Sequence, residues 1–442
     1  MGAGREDIVT KLTIPRSASI AVQPAVNADT LVRSVLFVAV YLAIWISFHP
    51  FPSLADPPQE LETGDRINQI GFSLLFLALA GWCYFNEPRR LLLLSRPVLL
   101  ATLAWCALSV VASWEPALAA RRLAFTLIVM SIAAMSLLLP KNPRHFAELL
   151  AVVVLIVLAL CYLGLVLVPQ LAIHQATDFV EPEHAGEWRG LFAHKNEAGA
   201  AMVLFICVGM FVARMRSFAL GGLIVALAGV FLVFTVSKNA IGVFPLVLIL
   251  SRIIARGRRP AVGLTLVLAI LFIFNLFSVG SVLFEPISKL NEAFMPDPTF
   301  TGRTEIWKAA MQYVAQRPLT GYGFSAFWGT PEVLFGLGEH ASWVNAASDA
   351  HNAYLNLALT IGLPGLLLTI LWVVISPITD FYRQERTPQT EPVQTLFLRI
   401  CLFSMFSACF ESSILQQVGE VWFFFVSGVF GLRYLSRMRI TA

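Results

Sequence analysis

Charge is scarce in this chain. Of its 442 residues only 13% are Asp, Glu, Lys or Arg, while 57% are hydrophobic; a soluble chain carries about a quarter charged residues. That scarcity excludes an ordinary soluble protein and points to an integral membrane protein. Dense Lys/Arg runs with interleaved aromatics are missing too, so nucleic acid is not an expected partner. The six cysteines (Cys83, Cys106, Cys161, Cys207, Cys401 and Cys409) all sit inside apolar runs, and none forms a C-x-x-C pair. Neither a disulfide framework nor a zinc site is suggested, and they read as small buried hydrophobes. The first apolar run begins late and lacks a small-residue cleavage site, so residues 1–30 read as a cytoplasmic tail rather than a cleavable signal.

What is present is a succession of apolar runs. A span needs about 20 apolar residues. Runs near 31–49, 69–86, 92–113, 119–139, 147–168, 197–213, 218–235, 240–256, 261–282, 352–376, 395–412 and 417–435 predict about twelve membrane helices. The expected fold is all-α and polytopic. Nine spans over 31–282 precede a large outer loop at 283–351, and three more spans over 352–436 precede a short tail at 437–442. Basic residues set the orientation. Arg89, Arg90, Lys141, Arg144, Arg214, Arg216, Arg252, Arg256, Arg258, Arg259, Arg383, Arg386, Arg433, Arg437 and Arg439 fall on one side if both termini lie there, and that side is cytoplasmic by the positive-inside rule. The outer face then receives 169–196 and 283–351, loops long enough to be functional. Within the second, Ile306, Ala309, Ala310, Tyr313 and Val314 recur at helical spacing until Arg317-Pro318 ends the run.

Several cations face outward, against the trend. Arg189 lies in Trp188-Arg189-Gly190-Leu191-Phe192, Lys195 in His194-Lys195-Asn196-Glu197, and Lys238 in Ser237-Lys238-Asn239. Arg303 lies in Thr301-Gly302-Arg303-Thr304-Glu305-Ile306-Trp307, and Arg317 opens Arg317-Pro318-Leu319-Thr320-Gly321-Tyr322-Gly323. Cations near lipid are costly unless partnered. Guanidinium groups suit a lipid phosphate; pairing with Glu187, Glu197 or Glu305, or snorkelling, is the plainer alternative. His351 sits where the long loop enters a span. It titrates near neutrality, as a general base should, or it simply bonds a loop carbonyl. Asp349 or Ser348 is placed to cap that helix, and Asp349 could instead orient the imidazole. Asn352 and Asn356 extend a polar edge. The other histidines, His174, His184, His194 and His340 among them, read as ordinary. Glu181, Glu183 and Glu187 read as an acceptor groove or as solvated loop charge. Gly362-Leu363-Pro364-Gly365 lies within a span, where it permits close approach or a bend.

Together these residues resemble the O-antigen ligase and Wzy-type polysaccharide polymerase superfamily, in its ExoQ-like exopolysaccharide branch. His351-Asn352, nine residues, Gly362, two residues and Gly365 look like its H-[N/S/Q]-x9-G-x-x-G signature. Gly302-Arg303 with Trp307, then Pro318 and Gly321-Tyr322-Gly323, look like its G-R-x3-W…P-x2-G-x-G pattern, and Arg189-Gly190-Leu191-Phe192 is similar to a third element. Ser237-Lys238 stands where many members have Ser-Arg, which keeps the charge and loses the fork. The resemblance implies a membrane glycosyltransferase-C-like helical fold with a large periplasmic loop. It implies a metal-independent glycosyltransferase without cofactor in the bacterial inner membrane, acting at the periplasmic face on undecaprenyl-diphosphate-linked oligosaccharide. It carries catalytic roles onto His351, Arg303 and Arg189, and substrate contacts onto Lys238, Lys195, Arg317, Asn352 and Asp349. A polymerase joining repeat units to a growing glycan is the leading reading, with flippase and chain-length regulator proteins as partners. A ligase delivering glycan to lipid A core or a protein uses the same site. A non-enzymatic transporter would instead need ionisable residues at the membrane midplane.

Overall fold

A computed structural model describes residues 28–47, 49–55, 66–179, 181–295, 297–330, 333 and 347–437. Most of the expected N-terminal tail, the C-terminal tail beyond 437 and His340 lie outside the described residues. Those described are overwhelmingly helical, with one isolated bridge between Ile173 and Trp188.

The apolar helices are α1 (Ala28–Ile46), α2 (Arg66–Asn86), α3 (Pro97–Val111), α4 (Pro116–Ser136), α5 (Pro143–Leu167), α6 (Lys195–Met215), α7 (Phe218–Thr235), α8 (Lys238–Arg256) and α9 (Pro260–Phe277). Two shorter loop helices, α10 (Glu285–Phe294) and α11 (Arg303–Gln316), precede α12 (Ala353–Arg383), α13 (Glu391–Ser407) and α14 (Glu420–Arg437). Proline starts α3, α4, α5 and α9. It suits a first helical position, where no N–H is needed and φ is already set. Among the described residues nine helices are long and apolar enough to cross a membrane, ten if the bent pair Pro88–Leu94 and Pro97–Val111 is one span. The expected twelve would need α13, which has only 17 residues, and α14, which carries Glu420, Arg433 and Arg437. That count is not established, although the polytopic all-α fold is. The run expected at 92–113 is also corrected. The chain bends by 80° at Ser95-Arg96 before Pro97, because the residue before proline is pushed out of the helical region; Arg96 is extended, with ψ 134°.

α6 is the hub, most of its length buried against α5, α7, α8, α13 and α14. Small residues let it close on α7. A Cβ on Gly221 would lie 2.4 Å from the Gly209 carbonyl oxygen, the tight crossing that small residues allow in a membrane.

Contacts divide the bundle into two ends. At one, Lys141 pairs with Asp29 at 3.2 Å, Arg216 with Glu148 at 2.8 Å and Arg96 with Asp380 at 2.6 Å. At the other, the loops after α1, α5, α7, α9 and α13 converge: Phe51 N–H donates to Leu191, and Phe179 N–H to Leu54.

The loop between α11 and α12 is stitched to a break in α12. Gly362 has φ 71° and ψ 174°, inside the helix but non-helical. The break frees carbonyls. Thr360 would normally receive an N–H four residues on, but that residue is Pro364, so Gly323 N–H donates to it at 2.9 Å. Tyr322 N–H takes the Leu359 carbonyl at 3.0 Å, Leu363 N–H turns to Pro318 at 2.8 Å, and Trp105 Nε1 reaches Ile361 at 2.8 Å. A broken span survives in lipid only when neighbours satisfy it in this way. A Cβ on Gly362 would meet the Leu319 oxygen at 2.1 Å, and one on Gly321 (φ 63°) would meet the Thr360 carbonyl at 2.5–2.6 Å. Two motifs that are distant in sequence are thus one backbone contact.

Candidate functional site

His351 and Arg303 meet over a carboxylate that sequence reasoning did not single out. α11 begins after Gly302, whose φ of 80° turns the chain into the helix. Arg303 then reaches the 408–419 turn. Its guanidinium donates to the Phe410 carbonyl and pairs with Glu411 Oε1 at 3.2 Å. One turn later buried Trp307 donates through Nε1 to the Ala350 carbonyl at 2.9 Å. Ala350 immediately precedes His351, so α11 positions the guanidinium and the imidazole together.

His351 itself has φ 47°, a left-handed conformation uncommon for a non-glycine residue. Asp349 Oδ1 accepts its backbone N–H at 2.6 Å. The side chain's Nδ1 is buried and makes no hydrogen bond; Glu411 Oε2 lies at 3.6 Å and Asp349 Oδ1 at 3.8 Å. Burial opposes the imidazolium, yet Glu411 and Asp349 outweigh it, so the His351 pKa is raised. Burial likewise opposes the Glu411 anion, but Arg303 and His351 hold its pKa down to about 2. Glu411 Oε1 also accepts from Asn196 Nδ2 at 3.1 Å, and Asn196 Oδ1 accepts from Ser237 at 3.0 Å. The starts of α6, α8 and α11, the entry to α12 and the turn after α13 therefore converge on one carboxylate.

A second polar group adjoins the first. His174, His184 and His194, read separately from the sequence, stand with ring centroids 5.3–5.9 Å apart and form one group. His194 bonds Glu181 at 2.7 Å, which with the nearby histidines holds the Glu181 pKa down to about 2 against burial. Burial lowers the His174 pKa to about 4, helped by His194. Burial lowers that of His184 as well. Ligand atoms of Glu181, His184 and His194 lie within 4.8 Å of one another, a spacing a metal ion could use. The tautomers argue against it. His194 Nδ1 accepts the Asn196 N–H at 3.1 Å, so its proton sits on Nε2, toward Glu181. A metal on Nε2 would leave the Nδ1 proton facing another donor. The group reads as a hydrogen-bonded network of neutral imidazoles and carboxylates. Only the Glu181-x-x-His184 spacing hinted at it.

The remaining expected site residues are distributed as follows. Lys195 is buried and paired with Glu187 at 2.6 Å, one of the plainer pairings anticipated. Lys238 is exposed at the first residue of α8, next to Ser237. Arg189 is fully buried; it donates to the Phe192 carbonyl at 3.1 Å and to Pro52 at 2.9 Å. It ties two loops together, and the structure does not put it in contact with Arg303 or His351. Arg317 lies over the Tyr322 and Trp114 rings at 4.9 and 5.4 Å, a cation–π seat rather than a place in the cluster. Asn352, not Asp349 or Ser348, caps α12. Its Oδ1 accepts from Leu355 N–H at 2.9 Å, while Nδ2 donates to Asn275 and to the Cys409 carbonyl. Asn352 is fully buried, and in this bonding pattern it caps the helix. Beside it an apolar groove of about 700 Å³ runs between α9, α11 and α12.

Comparison with known proteins bears on much of the same chain. Residues 201–370 match the O-antigen ligase family model. That stretch holds Lys238, Arg303, His351 and both glycine motifs. The exopolysaccharide production protein ExoQ of Rhizobium meliloti (strain 1021) is 25% identical over 258 residues, covering 54% of this chain and 57% of that protein. Both findings support the O-antigen ligase and Wzy-type superfamily, with an ExoQ-like relative. The chain has the helices of a multi-pass membrane protein and is similar to these ligase-type and exopolysaccharide proteins, and its match spans little more than half of its relative's length.

Proposed function

We propose that the protein is a polysaccharide polymerase that transfers glycan repeat units from an undecaprenyl-diphosphate carrier to a growing glycan at the periplasmic face. The observation that carries this is the Arg303–Glu411–His351 cluster at the loop-rich end of the bundle. The acceptor hydroxyl attacks the anomeric carbon, the bond from that carbon to the diphosphate oxygen breaks, and the lipid diphosphate leaves. His351 Nε2 takes the hydroxyl proton while its Nδ1 faces Glu411. Its raised pKa makes its neutral form a stronger base. Arg303, with exposed Lys238 next in sequence to the Ser237 that bonds Asn196, offsets the charge growing on the leaving diphosphate. A diphosphate leaves without a strong general acid, and none of these steps calls for a metal. The groove beside Asn352 suits the isoprenoid chain, since its walls are almost wholly apolar and it ends beside the cluster.

The ExoQ likeness favours polymerisation, and the family model's ligase description favours transfer to lipid A core or a protein. Incubating the purified protein with a lipid-linked repeat unit and sizing the products, with and without lipid A core, decides between them. A ladder of lengths without core supports the polymerase. Product only with core, one donor glycan per acceptor, gives the ligase. No transfer to either removes the enzymatic reading and leaves the transporter.

A further inference from the structure

The opposite end of the bundle holds a second concentration of positive charge that the transfer reaction does not use. A cavity of about 650 Å³ opens between the ends of α6, α7, α8 and α13. Arg214, Arg252, Arg256, Arg386 and Arg399 line it, with Glu391 the one carboxylate among its lining residues. α6 separates it from the catalytic cluster. Asn196 and Arg214 lie near opposite ends of that helix, eighteen residues or roughly 27 Å apart at 1.5 Å rise per residue.

The cavity's charges are not balanced internally. Glu391 is taken by Arg214, through paired contacts to both carboxylate oxygens. Arg386 is seated over the Phe381 ring at 4.8 Å and bonded to the Ala255 carbonyl. Arg252 and Arg256 are exposed at the rim. Arg399 is the informative one. It sits eight residues inside α13, about 12 Å from that helix's start. There its Nε meets only the Ser251 hydroxyl at 3.4 Å, and its Nη1 only the Met210 sulfur at 3.5 Å. Both are long bonds to weak, neutral acceptors. Among the described residues no carboxylate lies within ion-pair distance of it. A charge this far inside a helical bundle usually has an anionic partner, and here the partner position opens onto the cavity.

We propose that this cavity binds the phosphate headgroup of an anionic glycerophospholipid, with Arg399 at its floor and Arg252 and Arg256 at its rim. Phosphate chemistry follows from the fork of guanidinium donors. A lipid is favoured over free phosphate because the cavity lies at helix ends and apolar side chains, Met210, Phe218, Val225 and Phe381, share its wall with the arginines. Basic pockets between membrane helices at such a level seat anionic lipid headgroups. The site depends on no feature of the glycan reaction.

The test uses full-length protein delipidated in detergent, with lipid binding read by native mass spectrometry. Cardiolipin, phosphatidylglycerol and phosphatidylcholine are the probes. Wild type is expected to bind cardiolipin or phosphatidylglycerol at least tenfold more tightly than phosphatidylcholine. The rim variant R252Q/R256Q, which leaves the interior untouched, should lose most of that preference. R399Q should lose it too, while R399K, which keeps the charge, retains part. If millimolar inorganic phosphate or pyrophosphate displaces the lipid and protects the protein from unfolding equally well, the occupant is a free anion and the lipid assignment fails. Equal binding of all three lipids, or an unchanged preference in the rim variant, overturns the site altogether.

Discussion

At the scale of the residue, Glu411 does most to set the chemistry. It neutralises Arg303, holds Asn196 and faces the buried Nδ1 of His351. A general base must be neutral to work. Glu411 raises the His351 pKa above its ordinary 6.5, so activity should rise with pH through a value above that. Glu411→Gln removes an anion that favours the imidazolium. The His351 pKa then falls, and the acid limb of the kcat/KM profile should move to lower pH while the maximum rate drops. An acid limb that stays in place would show that it belongs to another group. His351→Ala should lower transfer by about 10²–10⁴-fold, with the protein still inserted and folded by thermal melt; normal transfer would end the general-base assignment. His351 and Arg303 could be found from sequence because each opens a spaced motif. Glu411 could not, since it lies in a short turn after a span and more than 100 residues of chain separate it from Arg303.

At the scale of the element, the informative unit is a join: the 317–323 loop laid against the break in α12. The glycines of both motifs were visible in the sequence as marks of bend or close approach. Their being each other's partner was not, because that depends on carbonyls freed by Pro364 and by the break at Gly362, and on donors 37 residues earlier. The join fixes the far end of α11, and Trp307 fixes its near end to Ala350. Gly362→Ala should therefore disturb activity as well as folding. The non-glycine backbone strain alone costs about 1–3 kcal/mol, and the new methyl would overlap the Leu319 oxygen. A marked drop in melting temperature is expected. Gly229→Ala in α7, where a Cβ meets nothing within 4 Å, is the control and should be neutral. Equal melting temperatures for the two variants would mean that the join contributes little. Trp307→Phe keeps most of the ring and loses the bond to Ala350, so it should lower kcat more than it alters KM. The prolines that open α4, α5 and α9 lie within a few residues of the expected span starts, whereas the start of α3 at Pro97, after the 80° bend at Arg96, was hidden inside a continuous apolar run.

At the scale of the whole molecule, alternating helices sort the polar residues into two unlike ends. One is dominated by arginine and lysine, with Arg89, Arg90, Lys141, Arg144, Arg256, Arg258 and Arg259 among them. The other gathers Glu181, Glu187, Glu411 and the histidines around a few cations. This asymmetry was readable from composition because orientation depends on where short loops carry Lys and Arg, and it needs no knowledge of how the helices pack. It leads to a directional prediction. The six native cysteines are buried, so a maleimide that cannot cross membranes should give little background. Lys238→Cys places a thiol at an exposed position on the catalytic end, and Arg258→Cys places one at an exposed position on the basic end. In spheroplasts the reagent should modify position 238 and spare 258, and detergent should open 258. Labelling of 258 alone in intact spheroplasts would put Arg303, Glu411 and His351 on the cytoplasmic side, and a periplasmic transfer reaction could not then be run by this cluster. Labelling of both before detergent would mean that the two ends do not face opposite compartments, and the span count itself would have to change.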